Sequence, residues 1–149
     1  TGKAPLSEGF AVFREFLQIK PDLHVGGQVR NGTTKGIDEY ALAAYNAPFP
    51  DDDHKQGVRQ FPNLVPGTPR TPSAEPNKEA WKILREWKKP FLCAFSDKDP
   101  IFSGVENSFY KLIPGCKDMP HVTIENAGHF LQEDQPNACV EAILSIKDI

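Results

Sequence analysis

Two short apolar runs in the second half of the chain constrain its fold more than any other feature, because each leads into a residue of catalytic type. Pro90 to Ala94 leads into Phe95-Ser96-Asp97-Lys98-Asp99-Pro100-Ile101. His121-Val122-Thr123-Ile124-Glu125 leads into Ala127-Gly128-His129-Phe130-Leu131-Gln132-Glu133-Asp134. Helical patterns lie before, between and after the runs: one from Pro76 with Trp81, Leu84 and Trp87, one from about Ser103 to Leu112, and one from Gln135 to Lys147. Helix alternating with buried strand argues for a parallel α/β sheet. Two strands are too few to make one, since a strand buried on both faces needs neighbours. Residues 76–149 therefore read as the last two βα units of a larger, mostly parallel sheet.

The first half has a different rhythm. Ser7 suits the cap of a helix from Glu8 to Lys20, stopped by Pro21. Its apolar residues, Phe10, Val12, Phe13, Phe16, Leu17 and Ile19, exceed one narrow stripe and predict burial on two sides. A Gly-rich stretch follows, then a helix from about Asp38 to Tyr45. Asp51, Asp52 and Asp53 suit the first turn of a third short helix. Pro62, Pro66, Pro69, Pro72 and Pro76 predict a fixed, extended connection. Residues 1–75 thus read as a helical cap with a Pro-rich return, placed before the C-terminal core at 76–149.

A carboxylate just past one strand and a histidine just past its parallel neighbour can meet above the strand ends. A carboxylate that holds a histidine is the rear half of a nucleophile–base–orienter relay. No nucleophile stands in these segments. His24, His54 and His121 lack the surrounding pattern of His129 and read as structural or surface residues.

Composition narrows the classes. Net charge is -3 with the signs mixed, which gives no footprint for nucleic acid or an acidic membrane surface. No apolar run approaches the roughly 20 residues of a bilayer span. Cys93, Cys116 and Cys139 are odd in number and lack CxxC spacing, so neither a disulfide framework nor a zinc site is expected. A reducing, cytoplasmic setting fits them, and Cys93 reads as strand core. The opening Thr1-Gly2-Lys3-Ala4-Pro5 carries neither signal peptide nor initiator Met, as expected of a fragment or a processed chain. Asn31-Gly32-Thr33 is a formal glycosylation triplet and reads as a turn.

The motifs carry a family resemblance. Ala43-Ala44-Tyr45, Ala47-Pro48-Phe49-Pro50-Asp51, Gly57-Val58-Arg59-Gln60-Phe61-Pro62, Lys89-Pro90-Phe91-Leu92, Ser96-Asp97-Lys98-Asp99-Pro100-Ile101 and Ala127 to Asp134 occur in this order. Together they resemble the C-terminal half of an α/β-hydrolase, specifically of a haloalkane dehalogenase. The Asp and His motifs indicate the superfamily, and the 47–51 and 57–62 segments indicate the dehalogenase branch. The resemblance implies a partial α/β-hydrolase fold in which a helical cap precedes the last strands. It implies that Asp99 orients the base and that His129 is the base, with Asp97 as the nearby competitor for the acid role. It implies apolar pocket positions at Phe10, Phe13, Phe61, Pro62, Val65, Ile101 and Phe102. It further implies an Asp nucleophile on a strand-to-helix turn not found in this chain. The chemistry is displacement of halide from carbon, then hydrolysis of the alkyl-enzyme ester, with no metal or organic cofactor. The partners implied are a haloalkane or related apolar electrophile, water, halide and the missing N-terminal half of the fold.

One position departs from the pattern. Phe13, in Phe10-Ala11-Val12-Phe13-Arg14, stands where the family's cap carries a Trp that donates its N–H to the leaving halide. Phe has no donor to offer there. An epoxide hydrolase or esterase of the same fold, or a truncated binding protein without activity, remain the alternatives. Glu133 and Asp134 read as the start of the last helix rather than as chemistry.

Overall fold

Ser7 opens the chain's first helix as its spacing predicts: its Oγ accepts the Phe10 N–H at 3.3 Å, and Glu8 occupies the first turn. The computed structural model describes residues 6–146, so the Thr1–Pro5 opening and the expected helix end at Lys147 lie outside the described residues. The elements are α1 (Glu8–Ile19), α2 (Val25–Asn31), α3 (Glu39–Asn46), α4 (Gln56–Gln60), α5 (Ala74–Leu84), β1 (Ala94–Ser96), α6 (Glu106–Leu112), β2 (Val122–Ile124), α7 (Leu131–Asp134) and α8 (Pro136–Ser145). Single 3-10 turns lie at Asp53–Lys55, Phe61–Leu64 and Pro114–Cys116.

The residues gather into two compact units. One holds the described residues up to Gly26 together with Tyr40–Lys82, and the other holds Gly27–Glu39 together with the described residues from Ile83 onward. The boundaries differ from a single cut at residue 76, because the segment around Gly32–Lys35 is hydrogen-bonded into the second unit.

In the first unit, α1 ends in a set of bonds made by Arg59. Its Nη1 donates to the Leu17 carbonyl at 2.5 Å, and its Nη2 donates to Pro21 O at 3.3 Å and Asp52 Oδ1 at 2.7 Å. A guanidinium there satisfies carbonyls that the end of a helix leaves without partners. Gln18 returns a bond from its Nε2 to the Arg59 carbonyl. Leu17, Leu23 and Ala74 are the buried apolar residues of this unit. Burial of α1 on two sides does not occur: Leu17 alone among its apolar residues is buried, and Val12 and Ile19 are 61% and 69% exposed. The proline series forms successive turns rather than the extended connection expected of it. Thr71 N–H donates to Thr68 O at 3.1 Å, Ala74 N–H donates to Thr71 O at 2.8 Å, and Ser73 Oγ donates to Leu64 O.

In the second unit, β1 and β2 pair in parallel with Phe95 opposite Thr123, and α6 lies in the crossover between them. The apolar run from Pro90 becomes strand only at Ala94. Pro90 has no N–H, Phe91 gives its N–H to Gly115 O at 3.0 Å, and Cys93 gives its own to His121 Nδ1 at 3.1 Å. The expected helix from Ser103 begins at Glu106, because Gly104 takes a positive φ of 81°. The expected final helix from Gln135 begins one residue later, at Pro136, and Gln135, with a φ of -139° in the helix-averse position before a proline, separates it from α7. Cys93, Ile113, Cys116, Ile124, Ala127 and Ala142 are buried here. Full burial of a side chain the size of Ile124 stabilises by about 1.5–3 kcal/mol.

Candidate functional site

The parallel register brings the ends of β1 and β2 side by side, so the residues that follow them share one edge of the sheet. The ladder is prolonged beyond the strands. Asp97 N–H donates to Ile124 O at 3.2 Å, and Lys98 N–H donates to Ala127 O at 3.0 Å. Asp97 Oδ1 accepts the Ala127 N–H at 3.1 Å. Asp97 thus joins the two loops. Burial pushes its carboxyl up, but the Ala127 N–H, Lys98 and the Asn126 N–H outweigh that and hold it below the usual carboxylate range. Asn126 makes the turn after β2 in the left-handed region, at φ 57°.

This frame sets Asp99 against His129. Asp99 is 7% exposed, and its Oδ1 accepts the Ile101 N–H at 2.8 Å. Its Oδ2 lies 3.0 Å from His129 Nδ1. A carboxylate can only accept, so Nδ1 carries the proton and the ring lone pair stands on Nε2. The imidazole has two aromatic neighbours: Phe102 at 5.5 Å between centroids, and Phe130 edge-on at 5.1 Å. A histidine held in one tautomer by a buried carboxylate can take a proton from water through Nε2.

The other residues singled out from the sequence fall in both units. Phe10 and Phe13 are half-buried neighbours on α1, with ring centroids 6.5 Å apart. Phe61 and Val65 are exposed, and Pro62 is half-buried in the turn at Phe61–Leu64. Ile101 and Phe102 follow Asp99 and are exposed. Cys93 is buried, and burial with Cys116 and Glu106 nearby pushes its thiol up to about 12. His121 bridges backbone groups: Nδ1 accepts the Cys93 N–H, so Nε2 carries the proton and donates to Cys116 O at 3.0 Å. Among the described residues no group of His, Cys, Asp or Glu could hold a metal ion, and no helix is long and apolar enough to cross a membrane.

Reading the sequence alone missed Asp134. This carboxylate is 4% exposed and accepts Thr34 N–H at 2.9 and 3.0 Å, Lys35 N–H at 3.2 Å and Gly128 N–H at 2.8 Å. Burial pushes its carboxyl up, but the N–H groups of Gly128, Thr34 and Lys35 and the Thr34 side chain win and hold it below its usual range. Two glycines make this approach possible. A Cβ on Gly128 would lie 2.5 Å from Gly32 O, and one on Gly32 would lie 2.6 Å from the Phe130 ring. Nothing in a single sequence pairs Asp134 with a segment a hundred residues earlier.

No protein-family model matches the chain. Individual proteins do. A haloalkane dehalogenase of Psychrobacter cryohalolentis is 50% identical over 135 residues, which is 91% of this chain and 45% of that protein. A haloalkane dehalogenase of Mycobacterium marinum is 39% identical over 144 residues, 97% of this chain and 48% of that protein. Among solved structures, the tetrameric haloalkane dehalogenase DpaA of Paraglaciecola agarilytica superposes with a TM-score of 0.78 at 25% identity, over 97% of this chain and 46% of that one. DatA of Agrobacterium tumefaciens, at 16% identity and a TM-score of 0.72, shares the fold. The chain spans about half the length of the relatives it matches. Its helices and parallel strand pair form part of an α/β-hydrolase fold, and over almost its whole length it resembles the C-terminal half of haloalkane dehalogenases.

Proposed function

We propose that this chain supplies the cap and the acid–base half of a hydrolase that cleaves carbon–halogen bonds through an alkyl-enzyme ester. The Asp99–His129 bond of 3.0 Å is the observation that supports this reading most strongly. Residues 1–75 act as the helical cap and 76–149 as the end of the core. An Asp in the N-terminal half of the fold attacks the substrate carbon; the new C–O bond forms as the C–X bond breaks and halide leaves. Water then attacks the ester carbonyl while His129 Nε2 takes its proton, and Asp99 stabilises the imidazolium that results. The alcohol departs and the carboxylate is regenerated, so R–X and water become R–OH, halide and a proton. No cofactor enters this balance. Phe10, Phe13, Phe61, Pro62, Val65, Ile101 and Phe102 serve as apolar substrate contacts. Partners are a haloalkane or similar apolar electrophile, water, halide and the nucleophile-bearing half, and the setting is cytoplasmic, without nucleic acid or membrane. Phe13 in place of a donor favours a second reading, in which the electrophile is an epoxide or ester.

Halide release from 1,2-dibromoethane tests the proposal. The 149-residue chain alone releases none above background, because orienter and base cannot attack carbon. The chain joined behind the N-terminal half of the Psychrobacter relative releases bromide. Turnover by the chain alone would mean the nucleophile lies within it, with Asp97 the first suspect. A joined protein that hydrolyses esters or epoxides but not dibromoethane would overturn the dehalogenase assignment.

A further inference from the structure

Asp134 stands at the C-terminal end of the four-residue helix α7. A negative charge there gains nothing from the helix dipole, which favours acids at the N-terminus. Burying it needs compensation, and the compensation comes from backbone N–H groups of two loops. Oδ2 accepts from Gly128, the residue before His129, and from Thr34; Oδ1 accepts from Thr34 and Lys35. The residue after His129 is held by the same second loop, since Phe130 N–H donates to Gly32 O at 3.2 Å. Thr34 Oγ1 donates to Asn126 O at 3.0 Å, and Lys35 Nζ donates to Asp134 O at 3.0 Å. His129 is therefore bracketed on both sides by backbone bonds that converge on one carboxylate and one loop. Asp99 holds only the ring, through Nδ1.

We propose that Asp134 is a positioning residue for His129: by stapling the loop at 126–130 to the loop at 32–35, it fixes the backbone from which the imidazole reaches Asp99. The inference rests on the reading of His129 as the base, but it concerns geometry and can be tested without turnover. Asp134→Asn keeps the size of the side chain and replaces an acceptor oxygen by a donor that opposes the N–H groups facing it.

Two readings on the chain joined behind the N-terminal half of the Psychrobacter relative decide the matter. The first is the low-field Nδ1 proton of His129, followed by NMR in histidine-labelled protein. The second is amide exchange of peptides covering 32–35 and 127–130. Asp134→Asn abolishes the low-field proton and accelerates exchange in both peptides together by at least tenfold. A low-field proton that persists in Asp134→Asn would overturn the proposal, as would acceleration confined to 32–35. If the variant does not fold, the unaltered joined protein decides through its exchange rates. The amides of Thr34, Lys35 and Gly128 and the Nδ1 proton then show matching protection, and independent opening of the Nδ1 proton would overturn the proposal. None of these results depends on halide release, so failure of the dehalogenase reading and failure of this inference remain separate outcomes.

Discussion

Phe13 is the residue at which chemistry and resemblance part. Leaving-group stabilisation acts as charge builds on the halide, so a donor there belongs to the displacement step. Loss of a donor at a comparable site costs about 10²–10³-fold in rate. In the protein joined to its nucleophile-bearing half, Phe13→Trp is therefore expected to speed halide release, by at most about 10²–10³-fold. It should also tighten bromide binding, with ester hydrolysis unchanged. Rapid-mixing kinetics separate the two steps; unchanged release and unchanged bromide affinity would mean that α1 does not face the leaving group. Asp134 shows the opposite relation between residue and sequence. Its carboxyl is held below the usual range. Its contribution is therefore complete above the unfolded value of about 3.9 and is lost as pH falls through the lower folded value. The staple stays closed across the neutral range.

At the scale of elements, His121 fastens the start of β1 to the turn at Pro114–Cys116. Its ring receives the Cys93 N–H, donates to Cys116 O and lies 4.3 Å from the Tyr110 ring. His121→Phe keeps the ring contact and leaves the Cys93 N–H without its partner, while Cys116 O keeps the Met119 N–H at 3.3 Å. A buried donor left so loses the bond without compensation. The expected result in the joined protein is a loss of about 1–3 kcal/mol by denaturant titration. Loss below about 0.5 kcal/mol, within the scatter of ordinary surface substitutions, would show that water replaces the ring. Local signals made several elements legible beforehand. Ser7 and Pro21 bounded α1 to within a residue, and Val122–Ile124 was read as strand and is strand. β1 was read too long because the Phe91 and Cys93 N–H groups are taken by Gly115 and His121, partners that only the folded chain brings near. α2 was read as a glycine stretch. It forms because tertiary bonds override the low helix propensity of Gly26 and Gly27, as where Gly26 N–H donates to Asn46 Oδ1 at 2.9 Å.

At the scale of the whole molecule, the pairing of Asp99 with His129 was legible because each follows its strand and parallel strands end together. The staple through Asp134 was not, because it joins segments a hundred residues apart that carry no shared motif. The two-stranded sheet and the exposed apolar side chains of α8, with Val140 52% and Ile143 67% exposed, suit part of a larger fold. Likeness to about half the length of the dehalogenases points the same way. In the proposed mechanism His129 serves the second half-reaction, hydrolysis of an ester formed by a nucleophile from the other half. The most direct test is mass detection of the enzyme after rapid mixing of the joined His129→Gln protein with 1,2-dibromoethane. One equivalent of bromide should be released and a covalent alkyl-enzyme should persist, since displacement proceeds and the water attack does not. Steady turnover without an accumulated adduct would contradict it.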